Sequence, residues 1–533
     1  MKPILLALAL ILPGILCAAE PATGDEAALK AHVAFLASDA MRGREAGSPE
    51  YDIAAEYVAS RFLALGLKPA GDDGSYLQNV PLLASKLVDK GGITLVSKTG
   101  EKILVWSEEF LVGPSVRQEA IRADGELIFV GFGIVAPELK RDDYAGLDVR
   151  GKIVVALAGA PKYFPGEERA HYGRNKAMTA EAKGAIGLIS VETPTSFKVR
   201  PLSRSAEGWD KETMVWRKPD GSGFVQGAPI FGTIGLKGAE KLFAGRPGGT
   251  KALMAAAETR PGKVKTGTLG LSARVTVNSA LRQVESSNVA GLIEGSDPAL
   301  KAEAVILSAH LDHLGIVKAV DGDSIANGAM DNAMGTGAMI EVAKRMVASN
   351  EKPMRSVLFL AVTAEEKGLV GADYYARHPT VGRANIVANV NLDMPVLTFD
   401  FQDVVAFGAE RSALGPVVRD AARTMGIALT PDPVPDQGIF TRSDHYRFVQ
   451  QGVPSVFIVT GPGGAGGKAN EEFERLHYHK PSDEVTLPID WRAGVKFIDL
   501  NLAIARTLAN LPQRPAWNKG DFFGTLYEGH GAR

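Results

Sequence analysis

The sequence predicts an α/β fold built on a parallel sheet, with a β-rich module set into the chain. Three observations carry this expectation. Val305–Leu307, Val357–Val362 and Ile386–Leu392 are short apolar runs rich in β-branched residues, the pattern of strands buried on both faces of a parallel sheet. From Asn288 to about residue 512, strands alternate with helix-period segments at Asn332–Ala348, Leu369–Arg377, Leu414–Met425 and Trp491–Leu508, as crossover connections require. Between about residues 90 and 280 that helical periodicity fades, and short strand-like runs divided by Gly and Pro replace it.

Taken in order, the chain opens with MKPILLALALILPGILCAAE. Lys2 is a charged n-region, Ile4–Leu16 an apolar h-region, and Cys17-Ala18-Ala19 offers small residues for cleavage after Ala19, so residues 1–19 read as a secretory signal. Anchoring as a lipoprotein through Cys17 is the alternative, weakened by the bulk of Leu16 before it. Two amphipathic helices follow. Asp25 can cap the first, which puts Leu29, Val33 and Leu36 on one face; Tyr51–Leu65 is the second, and Gly66 is suited to end it in the left-handed conformation. Arg42 and Arg44, in the MRGREAGSPE segment between them, read as solvated loop residues.

The insertion shows strand-like runs at Ile93–Val96, Leu127–Val130, Ile153–Leu157, Gly187–Val191 and Phe231–Ile234, with a helix at Lys176–Lys183. Two segments imitate nucleotide motifs. Gly131–Ala136 matches G-x-G-x-x-A, but Pro137 and an acidic run follow where a helix is needed. Pro462–Lys468 resembles a phosphate loop, with Pro462 in place of the first Gly and Ala469 in place of the Ser or Thr. Both read as ordinary loops.

Length, 533 residues, suggests two to four domains at about 150 residues each. Apolar content of 45% and charge of 23% are ordinary for a globular chain. A net charge of −2 without a basic block argues against nucleic acid as a partner. Past the leader, no apolar stretch is long enough to span a bilayer. Cys17 is the only cysteine; once the leader is removed, disulfides, thiol nucleophiles and thiolate metal sites are excluded, so any metal must be held by His and carboxylate.

The three apolar runs deliver polar residues at their carboxyl ends: His310 and Asp312, then Glu365 and Glu366, then Asp393. Ligands and catalysis gather at that edge of an α/β sheet. His310 and Asp312 are two apart, on one side of an extended chain, so the carboxylate can accept the second imidazole N–H and orient a metal-bound ring. Asp331, opening the helix at Asn332, is equally an N-cap or a ligand bridging two cations. Adjacent Glu365 and Glu366 cannot both stay ionised in an apolar site without a cation or a shared proton; one can bind metal while the other moves a proton. Asp393 would be costly to bury unpaired. In LHYHKPSDE, either His477 or His479 could complete the set. His and carboxylate ligands without thiol suit zinc or another divalent ion, and two ions sharing a carboxylate make a hydrolytic site.

SAHLDHLG, MDNAMGTG, TAEEKGLVG, NLDM and YHKPSDE together resemble the co-catalytic zinc aminopeptidase family, which also includes glutamate carboxypeptidases and the transferrin receptor. The resemblance implies a mixed, mainly parallel sheet flanked by helices. It implies two zinc ions, one held by His310, Asp331 and Asp393, the other by Asp331, Glu366 and His479. Asp331 would bridge, Glu365 would be the general base and Asp312 would orient His310. SDHYRF is similar to a family segment near the active site, which makes Asp444 and His445 substrate-pocket candidates. GFGIVAPELKRDDYAGLDVRGKIVVALAGAP resembles the protease-associated domain that some members insert. The implied layout is residues 20–115 and 281–515 for the peptidase domain, 116–280 for the insertion and 516–533 for a tail.

The expected function is that of a secreted or periplasmic two-zinc exopeptidase acting on peptides, an aminopeptidase with Glu365 as base. A carboxypeptidase for acidic C-termini, a glutaminyl-cyclase-like acyltransferase and a receptor-like binding protein without activity are the alternatives.

Overall fold

The computed structural model describes residues 24–349 and 351–533. The leader expected at residues 1–19 lies outside the described residues. Two helices, α1 (Gly24–Leu36) and α2 (Pro49–Ala64), begin the described chain. Asp25 sits inside the first turn of α1, where it accepts from Arg345 at 3.0 Å. The Ser48 side chain caps α2, and Gly66, at φ +74°, follows its end.

The central sheet runs β2 (Thr213–Trp216), β1 (Leu77–Leu87), β3 (Gly267–Ile293), β5 (Ser356–Val362), β4 (Ala304–His310), β6 (Ile386–Asn391), β8 (Ser455–Thr460) and β7 (Asp403–Phe407). The middle four strands, β5, β4, β6 and β8, are parallel, and the strands outside them pair antiparallel. This is the mixed α/β sheet expected, with its parallel pairings confined to the centre: three of the seven pairings are parallel and four antiparallel. Every residue of β4, β5 and β6 is buried, which is why those runs read as continuously apolar.

Side chains alternate between two cores. Val305, Leu307, Val357 and Phe359 face a cluster shared with α1 and α2, whereas Ile306, Leu358 and Leu360 face Tyr375 and Phe448. Truncating one of these side chains to Ala would cost about 2–5 kcal/mol.

Strand β3 joins two sheets. Its Ser279–Val289 half pairs with β1, and its Gly267–Asn278 half pairs with a strand at Ala120–Phe129. Beyond that strand lie Ile153–Leu157, Gly187–Val191 and Ile230–Ile234, all parallel to one another. This second sheet has its own apolar core, from Leu87 and Ile93 to Val277. Helix α3 (Gly166–Arg174), between the Ile153–Leu157 and Gly187–Val191 strands, packs on two short turns, Pro435–Gln437 and Ile439–Thr441. Arg174 donates to the Thr441 carbonyl, and His171 is 2.9 Å from the Tyr446 hydroxyl. Helices α4 (Met334–Ala348) and α5 (Trp491–Asn510) cover the first core. No helix among the described residues is long and apolar enough to cross a membrane.

Candidate active site

Parallel register brings the polar strand ends together. His310 of β4 lies opposite Val362 of β5, three residues before Glu365, and Ser308 lies opposite Asn391 of β6, two before Asp393. His310 Nε2 is 3.1 Å from both Asp331 Oδ1 and Asp393 Oδ1. His479 Nε2 is 3.4 Å from Asp331 Oδ2 and 3.3 Å from Glu366 Oε2. Asp331 therefore offers one oxygen to each group. His477 turns away and pairs with Ser482 at 3.0 Å.

The backbone is bent to make this possible. Ala364, Met394 and His479 all have positive φ, at 54°, 42° and 58°; non-glycine residues held there by their surroundings gather at functional sites.

Asp312 acts differently from the expectation. His310 Nδ1–H donates to the Asp312 main-chain carbonyl at 3.0 Å, not to its carboxylate. The bond still fixes the tautomer that leaves Nε2 free to ligate. The Asp312 carboxylate instead accepts the backbone N–H groups of Glu365 (3.0 Å) and Glu366 (3.3 Å) and so sets the turn that presents both acids. A pair of residues at i and i+2 can meet through main chain or side chain, and sequence alone does not separate the two.

Three supports escaped the sequence reading. Arg44, read as a solvated loop residue, is fully buried. Its Nε donates to the Leu311 carbonyl at 2.8 Å, Nη1 to those of Leu36 (3.1 Å) and Asn327, and Nη2 to those of Gly328 (2.7 Å) and Asp331 (3.4 Å). Five guanidinium N–H groups thus meet five carbonyls. Arg42 does stay exposed, beside Glu50. Asp483 accepts the N–H groups of Met330 (2.9 Å) and Asp331 (3.0 Å), holding the Asp331 loop from the other side. Ser443 donates to Asp393 Oδ2 at 2.5 Å and accepts from Asn391 at 2.7 Å, which leaves Oδ1 turned to His310. The strand register and the SDHYRF segment were the available signals for Ser443; an arginine buried by carbonyls far away in sequence gave none.

Electrostatics follow from crowding acids and imidazoles in a dry place. Burial works against charge on His310, yet Asp393, Glu365 and Asp331 hold it well above its usual pKa. Burial is likewise overcome at Asp331, which the His310 and His479 imidazoles hold well below the carboxylate range. Glu366 is lowered, against its burial and Asp331, by His313 and His479. Glu365 goes the other way: burial first, then Glu366, Asp444 and Asp393, push it well up against the pull of His310. The two adjacent glutamates thus occupy different environments, as their different directions demand.

Asp444 is fully buried with neither oxygen hydrogen-bonded, and burial, with Asp393 and Asp312 adding to it against the pull of His310, lifts it to about 8. His445 lies between the rings of Phe440 and Phe457, at 5.2 and 5.3 Å, where burial drives it down to about 3. Asp444 belongs to the electrostatic surroundings of the cluster, and His445 packs in an aromatic core.

His310, Asp331 and Asp393 offer ligand atoms that all lie within 4.8 Å of one another. This oxygen and nitrogen donor set fits a divalent cation of the zinc type, which would also offset the excess of carboxylates.

Residues 288–505 match the sequence profile of peptidase family M28. Aminopeptidase YwaD of Bacillus subtilis is 27% identical over 333 residues, 59% of this chain and 60% of that protein's length. A vacuolar membrane protease of Yarrowia lipolytica is 30% identical over 113 residues, 21% of this chain and 10% of that one. Among solved structures, an aminopeptidase from Aneurinibacillus sp. strain AM-1 superposes with a TM-score of 0.50 over 92% of this chain and 95% of its own, at 20% identity. That likeness bears on the fold. The segment that matches the M28 profile, residues 288–505, holds His310, Asp331, Glu365, Glu366, Asp393 and His479.

Proposed function

We propose that the protein is a secreted or periplasmic two-zinc exopeptidase, and specifically an aminopeptidase that removes N-terminal residues from peptides. The observation that carries this reading is a single buried carboxylate, Asp331, with one oxygen turned to His310, which also meets Asp393, and the other to His479, which also meets Glu366. His310, Asp331 and Asp393 would hold one zinc, and Asp331, Glu366 and His479 the other. Zinc in such a site supplies Lewis-acid polarisation of the scissile carbonyl and of water.

The chain's own residues do the rest. The Asp312 carbonyl keeps the His310 proton on Nδ1. The Asp312 carboxylate orients Glu365 and Glu366 through their backbones. Glu365, outside both ligand groups, takes a proton from the attacking water and returns it to the leaving amine. The aminopeptidase assignment is favoured over carboxypeptidase by the name of the Bacillus relative. The insertion, which we place at residues 116–280 as a protease-associated domain, would restrict which substrates reach the site.

The test is end-specificity. Purified protein is given a short peptide with free ends, its N-acetylated form and its C-amidated form. The proposal expects cleavage of the free and amidated peptides and none of the acetylated one. Cleavage of the acetylated peptide with protection by the amide would replace it with a carboxypeptidase.

A further inference from the structure

His313 has no part in the ligand sets above, yet it faces them. It follows β4 by three residues and is fully buried. Its Nδ1 lies 2.7 Å from Glu366 Oε1, but neither ring nitrogen forms a hydrogen bond. A ring nitrogen of His313, an oxygen of Asp331 and an oxygen of Glu366 all lie within 4.8 Å of one another. The ring also stands edge-on to that of His479, with centroids 5.9 Å apart.

The surroundings are shaped to hold the imidazole there. The His313 N–H donates to the Arg44 carbonyl at 3.3 Å. Gly328 has φ +60°, and a Cβ at that position would lie 2.6 Å from the His313 ring. The loop that carries Asp331 is therefore left without a side chain where the ring passes. A buried polar group with no partner costs about 1–3 kcal/mol, and buried polar groups in folded proteins almost always have one. A fully buried imidazole whose Nε2 has no partner, and whose Nδ1 meets only a carboxylate oxygen off hydrogen-bond geometry, is the signature of a site for an acceptor of lone pairs. A well-formed hydrogen bond to Glu366 would have explained the ring; the approach is close, but its geometry is not that of one.

We propose that His313 is a third imidazole ligand of this centre, binding the cation shared by Asp331, Glu366 and His479. This rests on the two-metal reading of the site and adds a ligand that the motif resemblance does not assign. A second imidazole beside His479 raises the nitrogen share of that position and so favours zinc or cobalt over magnesium or calcium.

The test uses the full chain, stripped of metal and refilled with Co(II). In proton NMR, each histidine bound to cobalt gives a strongly shifted, solvent-exchangeable ring N–H signal. Three such signals are expected at two equivalents, from His310, His313 and His479. His313→Ala should remove one, and competition with a chromophoric chelator should show its second zinc equivalent weakened by at least about tenfold, with the first unchanged. Two signals in the unaltered protein, both kept in His313→Ala, would overturn the ligand assignment while leaving the two-metal reading intact. Failure to take up cobalt at all would overturn both. The signal count in the unaltered protein does not depend on how well the variant folds.

Discussion

Replacing Arg44 with lysine tests whether a buried guanidinium holds the Asp331 loop in place. The five N–H groups of Arg44 serve the carbonyls of Leu311, Leu36, Asn327, Gly328 and Asp331. Lysine keeps the charge but has three donors at one point, so at least two of these carbonyls lose their partner. Each buried carbonyl left bare costs about 1–3 kcal/mol, which puts Arg44→Lys at about 2–6 kcal/mol. Three of the five carbonyls belong to residues 327–331, so part of that loss should appear as misplacement of Asp331. Two readouts follow: urea unfolding monitored by fluorescence, and zinc affinity of the folded protein by chelator competition. The expectation is a lower unfolding midpoint and weakened binding of both zinc equivalents, because both share Asp331. A lysine variant with unaltered midpoint and unaltered affinities would refute the idea that these bonds fix the loop.

Glu365→Gln should lower turnover by about 10²–10⁴-fold while zinc content by elemental analysis stays the same, since Glu365 is outside both ligand groups. Ser443→Ala frees Asp393 Oδ2 and should weaken one zinc equivalent by about 10–100-fold, measured by competition. His171, on helix α3 beside the Tyr446 hydroxyl, is pushed by burial from 6.5 down to about 4. Its lowered pKa means that it stabilises the folded state fully above about pH 6.5, and that this stability is lost as pH falls towards 4. The loss amounts to about 3 kcal/mol. Urea midpoints measured across that range should fall less steeply in His171→Phe than in the unaltered protein.

The elements that the sequence made legible share a cause. The runs that became β4, β5 and β6 are buried on both faces, so their apolar character owes nothing to distant partners, and the residues at their ends follow from register. Arg44 was illegible because its partners lie up to 287 residues away and are main-chain carbonyls, which any sequence can supply. Asp312 was half legible: its nearness to His310 was apparent, but its carboxylate turned out to serve the backbone of Glu365 and Glu366. The continuous strand β3 crosses residue 280, where composition changes; a strand shared by two sheets leaves no break in pattern at the point where one core gives way to the other. His313 was passed over because one histidine in its segment already had a role, and only the fold brought its ring to Glu366.

The proposed chemistry stands or falls on whether catalysis needs two metals sharing Asp331. The most direct measurement is hydrolysis of leucine p-nitroanilide by the purified protein, followed through chelation and stepwise return of zinc. Activity should disappear on chelation and be fully restored at two equivalents of zinc per chain. Activity that survives complete removal of the metal, or that returns in full at one equivalent, would contradict it.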